Sequence, residues 1–152
     1  MGKKVIILGA DHAGFKYKEK LKKFFEEEGI KAEDYGAFKE DVSDDYPDYA
    51  FKVAERVAMD KNSLGILICG SGAGMIIAAN KVKGIRAVEA LDAGNAKVSR
   101  EHNNSNVLGL GARSMSFRRA REIADAWINA KFSRQPRHII RIKKIESYEN
   151  DK

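Results

Sequence analysis

Residues 65–81 read GILICGSGAGMIIAANK. The first five positions are a short apolar run, the pattern of a strand buried on both faces. Gly70, Gly72 and Gly74 then make a tight turn, and 75–80 continues as a helix with small, apolar faces. Such a succession sets backbone N–H groups and a helix N-terminus at the strand's C-terminal edge, where they can receive an anion. Cys69 ends the strand and Ser71 lies inside the turn, so a thiol and a hydroxyl border that place. The spacing is G-x-G-x-G rather than the dinucleotide G-x-G-x-x-G, and no Lys-Ser/Thr pair closes a P-loop. Taken alone, the stretch also fits a plain α/β crossover whose free cysteine packs as a small hydrophobe.

Outward from this unit the chain alternates. Residues 4–9, KVIILG, read as a first buried strand. A helix over 15–28 carries Phe15, Leu21, Phe24 and Phe25 at helical spacing and stops at Gly29. A weaker strand over 30–35 and a polar loop over 36–45 follow. Tyr46-Pro47 opens a second helix that runs to about residue 60, with proline in its first turn. Beyond the central unit, Gly84 ends the third helix, 85–90 is a strand, 92–101 a short helix and 106–110 a fifth strand. A helix over 116–129 places Trp127 in the core, and a basic helix opened by Pro136 runs from 135 to the end. Strands alternating with helices predict a parallel sheet covered on both faces. No repeat, linker or low-complexity tract interrupts this order, so residues 1–152 read as one domain.

Composition narrows the function classes. With 152 residues, 43% hydrophobic and 33% charged, the chain reads as a soluble globular protein. No apolar run approaches the ~20 residues of a membrane span. Met1-Gly2 begins like an acylation signal, but Ile6 stands where Ser or Thr is required. The apolar run 5–8 is too short for a signal peptide, and one cysteine makes no internal disulfide, so a reducing cytoplasm is expected. The formal charge is +6, and Lys131, Arg134, Arg137, Arg141, Lys143 and Lys144 form its least compensated cluster. Nucleic acid or a small phosphorylated substrate would both suit it.

The groups able to do chemistry are few. Asp11 and His12 follow the first strand, in the region where open α/β sheets bind ligands. Asp11 would also serve as an N-cap. Cys69 is the candidate base, since a helix N-terminus or nearby cations favour a thiolate. A thiolate there could remove a proton alpha to a carbonyl, with the amides of Gly70, Ser71, Gly72, Ala73 and Gly74 holding the oxygen that becomes negative. His102 could move a proton on a sugar oxygen near neutral pH. Arg137 and Arg141 share a helix face, and such like charges repel unless an anion lies between them. A metal site from Asp11, His12, Cys69 and His102 has no HExxH or CxxC spacing behind it, so none is expected.

GADHAGF, DYPDYA, GILICGSGAGMIIAANK, GIRA, REHNNSNVL and PRHIIRIKKI, in this order and spanning essentially the whole chain, resemble the B-type ribose-5-phosphate isomerases. That family also includes isomerases of galactose 6-phosphate and allose 6-phosphate. The resemblance implies a Rossmann-like three-layer sandwich on five parallel strands. It further implies a homodimer or dimer of dimers with the active site at the subunit interface, and metal-free, cofactor-free aldose–ketose interconversion through an enediol(ate). By position, Cys69 is then the general base and His102 the ring-opening acid. Asp11, His12, the turn from Gly70 to Gly74, Asn103, Arg113, Arg137 and Arg141 become substrate and phosphate contacts.

Three places depart from the family pattern. Ser71 replaces the usual Thr, Gln135-Pro136 replaces a glycine pair before Arg137-His138, and Glu89 with the loop 91–95 matches nothing in it. Cys69 argues against the galactose-type A subunit and Arg137-His138 against the B subunit. Ribose 5-phosphate is the expected substrate, with no nucleic acid or membrane partner. A six-carbon sugar phosphate and a non-catalytic nucleotide- or nucleic-acid-binding module are the alternatives.

Overall fold

The structure is a computed structural model that describes residues 3–152; the Met1-Gly2 pair lies outside them. Its order is β1 (Val5–Ala10), α1 (Phe15–Glu27), β2 (Ala32–Asp34), α2 (Tyr46–Met59), β3 (Ser63–Cys69), α3 (Ala73–Ala79), β4 (Ala87–Glu89), α4 (Ala93–Asn103), β5 (Val107–Gly111), α5 (Phe117–Asn129) and α6 (Pro136–Asn150). The five strands form one parallel sheet in the order β2-β1-β3-β5-β4. This is the three-layer α/β architecture expected from the alternation.

Strand pattern and burial agree. β3 is buried at all seven positions because both its faces are covered. On one face, Ile6, Leu8, Ile66, Ile68, Leu108 and Leu110 pack against α1, α4 and α5. On the other, Ile7, Leu67, Cys69 and Val107 meet α2 and α3. Trp127 of α5 is fully buried; its indole N–H donates to Ser105 Oγ at 2.9 Å. The Arg100 guanidinium lies 5.8 Å from the centre of its ring.

The order of the sheet sets the site. From β1 the chain moves outward through α1 to β2; from β3 it crosses to the other side through α3. The crossovers diverge between β1 and β3, and the crevice at that switch point is where such sheets take ligands. Asp11 N–H donates to Ile68 O at 3.3 Å, so the β1 and β3 ends are tied side by side at this crevice.

Three elements differ in extent from the sequence expectation. The edge strands β2 and β4 have three residues each, because their outer residues are only partly covered. Helix α4 runs on through His102 and Asn103 to an Asn104 cap at φ 46°. Nothing before Asn104 breaks that helix, and asparagine tolerates the left-handed conformation that does. Arg86, just ahead of β4, donates from Nε to the carbonyls of Asn103 (3.1 Å) and Asn104 (3.2 Å). This guanidinium satisfies carbonyls orphaned at the helix end.

Candidate active site

Asp11 begins the turn after β1 and is 6% exposed. Its Oδ1 accepts the N–H groups of Ala13 (3.0 Å) and Gly14 (3.1 Å), bending the chain into α1. A side chain at Gly14 would collide with the Ile68 carbonyl, so glycine lets the turn lie directly on β3. His12 follows, one quarter exposed, with Nδ1 2.7 Å from Asp44 Oδ1. The Asp44 hydrogen bond holds the imidazole above its ordinary pKa; burial and the Arg113 charge oppose this, and Asp11 assists it.

Cys69 closes β3 at 4% exposure, and the Gly72 N–H donates to its sulfur at 3.1 Å. That donor comes from the glycine turn itself, so the turn and the end of β3 are held together at the sulfur. Gly72 has φ +89°, a conformation that disfavours side chains. Ser71 is exposed, and its Oγ accepts the Ala73 N–H at 3.3 Å. The first-turn amides of α3, from Ala73 and Gly74 onward, have no partner inside the helix. Arg113, just past β5, donates its N–H to Gly70 O at 2.9 Å, and its guanidinium lies over Gly70.

Three further residues border this place. The Tyr46 ring covers Gly74 so closely that a Cβ there would lie 2.6 Å from it. Asp44 stands beside His12. Neither belonged to the expected site: Asp44 lies in the polar loop before α2 and Tyr46 is the first residue of that helix, and no periodicity or motif at Asp44 announces a contact with His12. The Glu89 carboxylate reaches the underside of the glycine turn, with Oε1 3.3 Å from where a Gly72 Cβ would stand.

His102, Asn103, Arg137 and Arg141 lie elsewhere in the chain. Helix α4 leaves the ligand edge after β4 and runs back for eleven residues, about 16 Å. His102 in its last turn therefore sits at the N-terminal edge of the sheet, as the Arg86 bonds to the neighbouring carbonyls require. There its ring stacks on His138 with centroids 4.4 Å apart. His138 is buried, its Nδ1 2.7 Å from Ser133 Oγ and its Nε2 3.4 Å from Arg137 Nε. Burial lowers the His138 pKa, and His102, Arg137 and Arg141 lower it further. Arg137 and Arg141 are exposed one turn apart on α6. One chain thus brings together Asp11, His12, Cys69, Arg113 and the turn from Gly70 to Gly74. It sets His102, Asn103, Arg137 and Arg141 apart as a second cluster.

The four-ligand metal set weighed from the sequence is likewise divided. Among the described residues, the His, Cys, Asp and Glu side chains close enough to share an ion are Asp11, His12 and Asp44, without Cys69 or His102. Also among the described residues, no helix is long and apolar enough to cross a membrane.

Comparison with known proteins gives the family. The family model described as Ribose/Galactose Isomerase matches residues 6–145. Ribose-5-phosphate isomerase B of Mycolicibacterium paratuberculosis is 42% identical over 144 residues, 95% of this chain and 91% of that protein. Its Escherichia coli counterpart is 41% identical over 146 residues, 96% of this chain and 97% of that one. The crystal structure of ribose-5-phosphate isomerase B from Mycoplasma genitalium with bound ribulose-5-phosphate superposes with a TM-score of 0.94 at 38% identity, covering 97% of each chain. Strand order, the cysteine–glycine turn and near-complete matches in sequence and shape lead to one assignment: this chain belongs to the Ribose/Galactose Isomerase family.

Proposed function

We propose that residues 1–152 form one catalytic domain interconverting ribose 5-phosphate and ribulose 5-phosphate. The observation that carries this reading is the Cys69 sulfur, held at the switch-point crevice with the Gly72 N–H 3.1 Å away. The thiolate takes the proton from C2 of the open-chain aldose. The C–H electron pair becomes the C1–C2 double bond, and the carbonyl pair moves to oxygen as an enediolate. Amides of the turn from Gly70 to Gly74 receive that charge. The thiol then returns the proton to C1, and collapse of the enediolate, with proton movement between the two oxygens, leaves the ketose.

Opening the furanose ring needs a second proton carrier and the phosphate needs cations. His102, Asn103, Arg137 and Arg141 suit these tasks but are remote from Cys69 in one chain. A homodimer, alone or paired into a dimer of dimers, resolves this by bringing His102 of the partner subunit over Cys69. No metal or cofactor is invoked, and the basic α6 serves phosphate rather than nucleic acid. The unpaired thiol on which the chemistry depends suits a reducing cytoplasm.

The direct test compares kcat/KM for ribose 5-phosphate and allose 6-phosphate. A preference for the pentose is expected. A preference for the hexose would keep the mechanism and reassign the substrate, with Glu89 under the turn as the first residue to exchange. Absence of turnover on either sugar phosphate, in a folded dimer, would sink the reading. The same assay tests the phosphate contacts. Arg137→Ala and Arg141→Ala should each raise KM roughly tenfold to a hundredfold with kcat little changed, the worth of about one charge-assisted hydrogen bond. Unchanged KM in both variants removes the clamp from the account.

A further inference from the structure

His12 and Asp44 are 32 residues apart in sequence, and Asp44 makes two bonds to His12. Oδ1 accepts the His12 backbone N–H at 3.2 Å and lies 2.7 Å from the ring Nδ1. The Asp44 side chain is only 8% exposed, and its other oxygen, Oδ2, is buried; among the described residues it has no hydrogen bond of full geometry, only the Tyr49 phenol facing the carboxylate. A buried carboxylate satisfied on one oxygen is costly unless a positive charge compensates it. The nearest group able to carry that charge is the His12 imidazole itself.

The ring's surroundings make this a contest. Arg113 stands close enough for its charge to disfavour an imidazolium, while Asp11, from the same turn, and Asp44, from the loop before α2, favour one. Asp41 of that loop also interacts with the ring charge. On α2, the Tyr49 phenol faces the Asp44 carboxylate, and its pKa is raised by burial, by that charge and by a hydrogen bond to it. With Nδ1–H committed to Asp44, Nε2 remains as the donor, and no hydrogen bond occupies it among the described residues. An Nε2–H in the field of the Arg113 guanidinium puts two cationic donors at one crevice, which is a fit for an anionic oxygen.

We propose that Asp44 is the positioning residue of the substrate site: it fixes His12 with Nδ1–H toward the loop, and holds the ring as a cationic Nε2–H donor that works with Arg113 on an anionic substrate oxygen. This rests on the sugar-phosphate reading above, but its test does not depend on turnover. Protonation favoured by Asp44 persists to higher pH than in a free histidine, so removing the charge moves deprotonation to lower pH.

The experiment is ¹⁵N NMR of histidine-labelled protein titrated between about pH 5 and pH 9, with the His12 signal assigned by its loss in His12→Asn. Asp44→Asn keeps an acceptor for Nδ1–H but removes the charge. Its His12 midpoint should fall below the wild-type value, and KM for ribose 5-phosphate should rise about tenfold near pH 8 while staying close to wild type near pH 6. Asp44→Glu, which restores the charge, should move the midpoint back up. If Asp44→Asn is poorly folded, the wild-type spectrum and Asp44→Glu still decide. A neutral wild-type ring near pH 7 or Nε2–H missing from it overturns the proposal, as does an Asp44→Asn titration matching wild type. A KM penalty equal at every pH would reduce Asp44 to a structural loop residue. Should no sugar phosphate turn over, the titration alone still judges Asp44, and the two failures stay distinct.

Discussion

Cys69→Ala lowers kcat on ribose 5-phosphate by about a thousandfold, the middle of the range for removing a general base. In the mechanism proposed above the sulfur takes the carbon-bound proton, and the Gly72 amide is spent on it. The fold tolerates the change, because alanine leaves a void of roughly one atom at the end of β3, costing about 1 kcal/mol. Steady-state kinetics would show the loss. Deuterium wash-in from solvent at C1 and C2, followed by NMR, would show that proton transfer rather than product release has failed. Near-normal turnover would mean another base, and would end the mechanism given above.

Mixing two dead variants restores activity. Cys69→Ala and His102→Ala should each be nearly inactive alone. Unfolded together and refolded at equal concentration, they should recover about a quarter of wild-type activity per chain. Statistical pairing makes about half the dimers mixed, and in each of those one of the two sites has both Cys69 and His102. The expectation follows from α4, whose run back across the sheet leaves His102 beside His138 rather than beside Cys69. No recovery from a mixture shown to contain mixed dimers would place both groups in one chain's site, against the division seen here.

The sheet could be read from the sequence because its strands state their burial plainly. LGILIC is apolar at almost every position, and only a central parallel strand needs that. The edge strands are shorter than their apolar runs because propensity extends past the point where pairing stops; Ile30 and Ile85 are apolar without belonging to the ladder. The Cys69 half of the site was legible for a local reason: strand, turn and helix are contiguous, so their geometry follows from spacing. Asp44 was not legible, because the loop over 36–45 has no period and only its passage above the end of β1 delivers the carboxylate to His12. The placement of His102 turned on one helix boundary. Ending α4 at residue 101 leaves the histidine in a loop of free direction, whereas the left-handed Asn104 fixes it in the last helical turn.

Trp127 has a practical meaning beyond packing. It is the chain's one tryptophan, and it lies in the α1–α4–α5 layer with its N–H on Ser105, just ahead of β5. Cys69 faces the opposite layer, at the other end of the strands. An indole so enclosed emits toward the blue and shifts red when water reaches it. The intrinsic fluorescence of this protein is therefore a gauge of whether one helical layer stays seated on the sheet. It is optically silent about the thiol, so a denaturation curve followed by emission and an inhibition curve followed by turnover report on separate parts of the molecule.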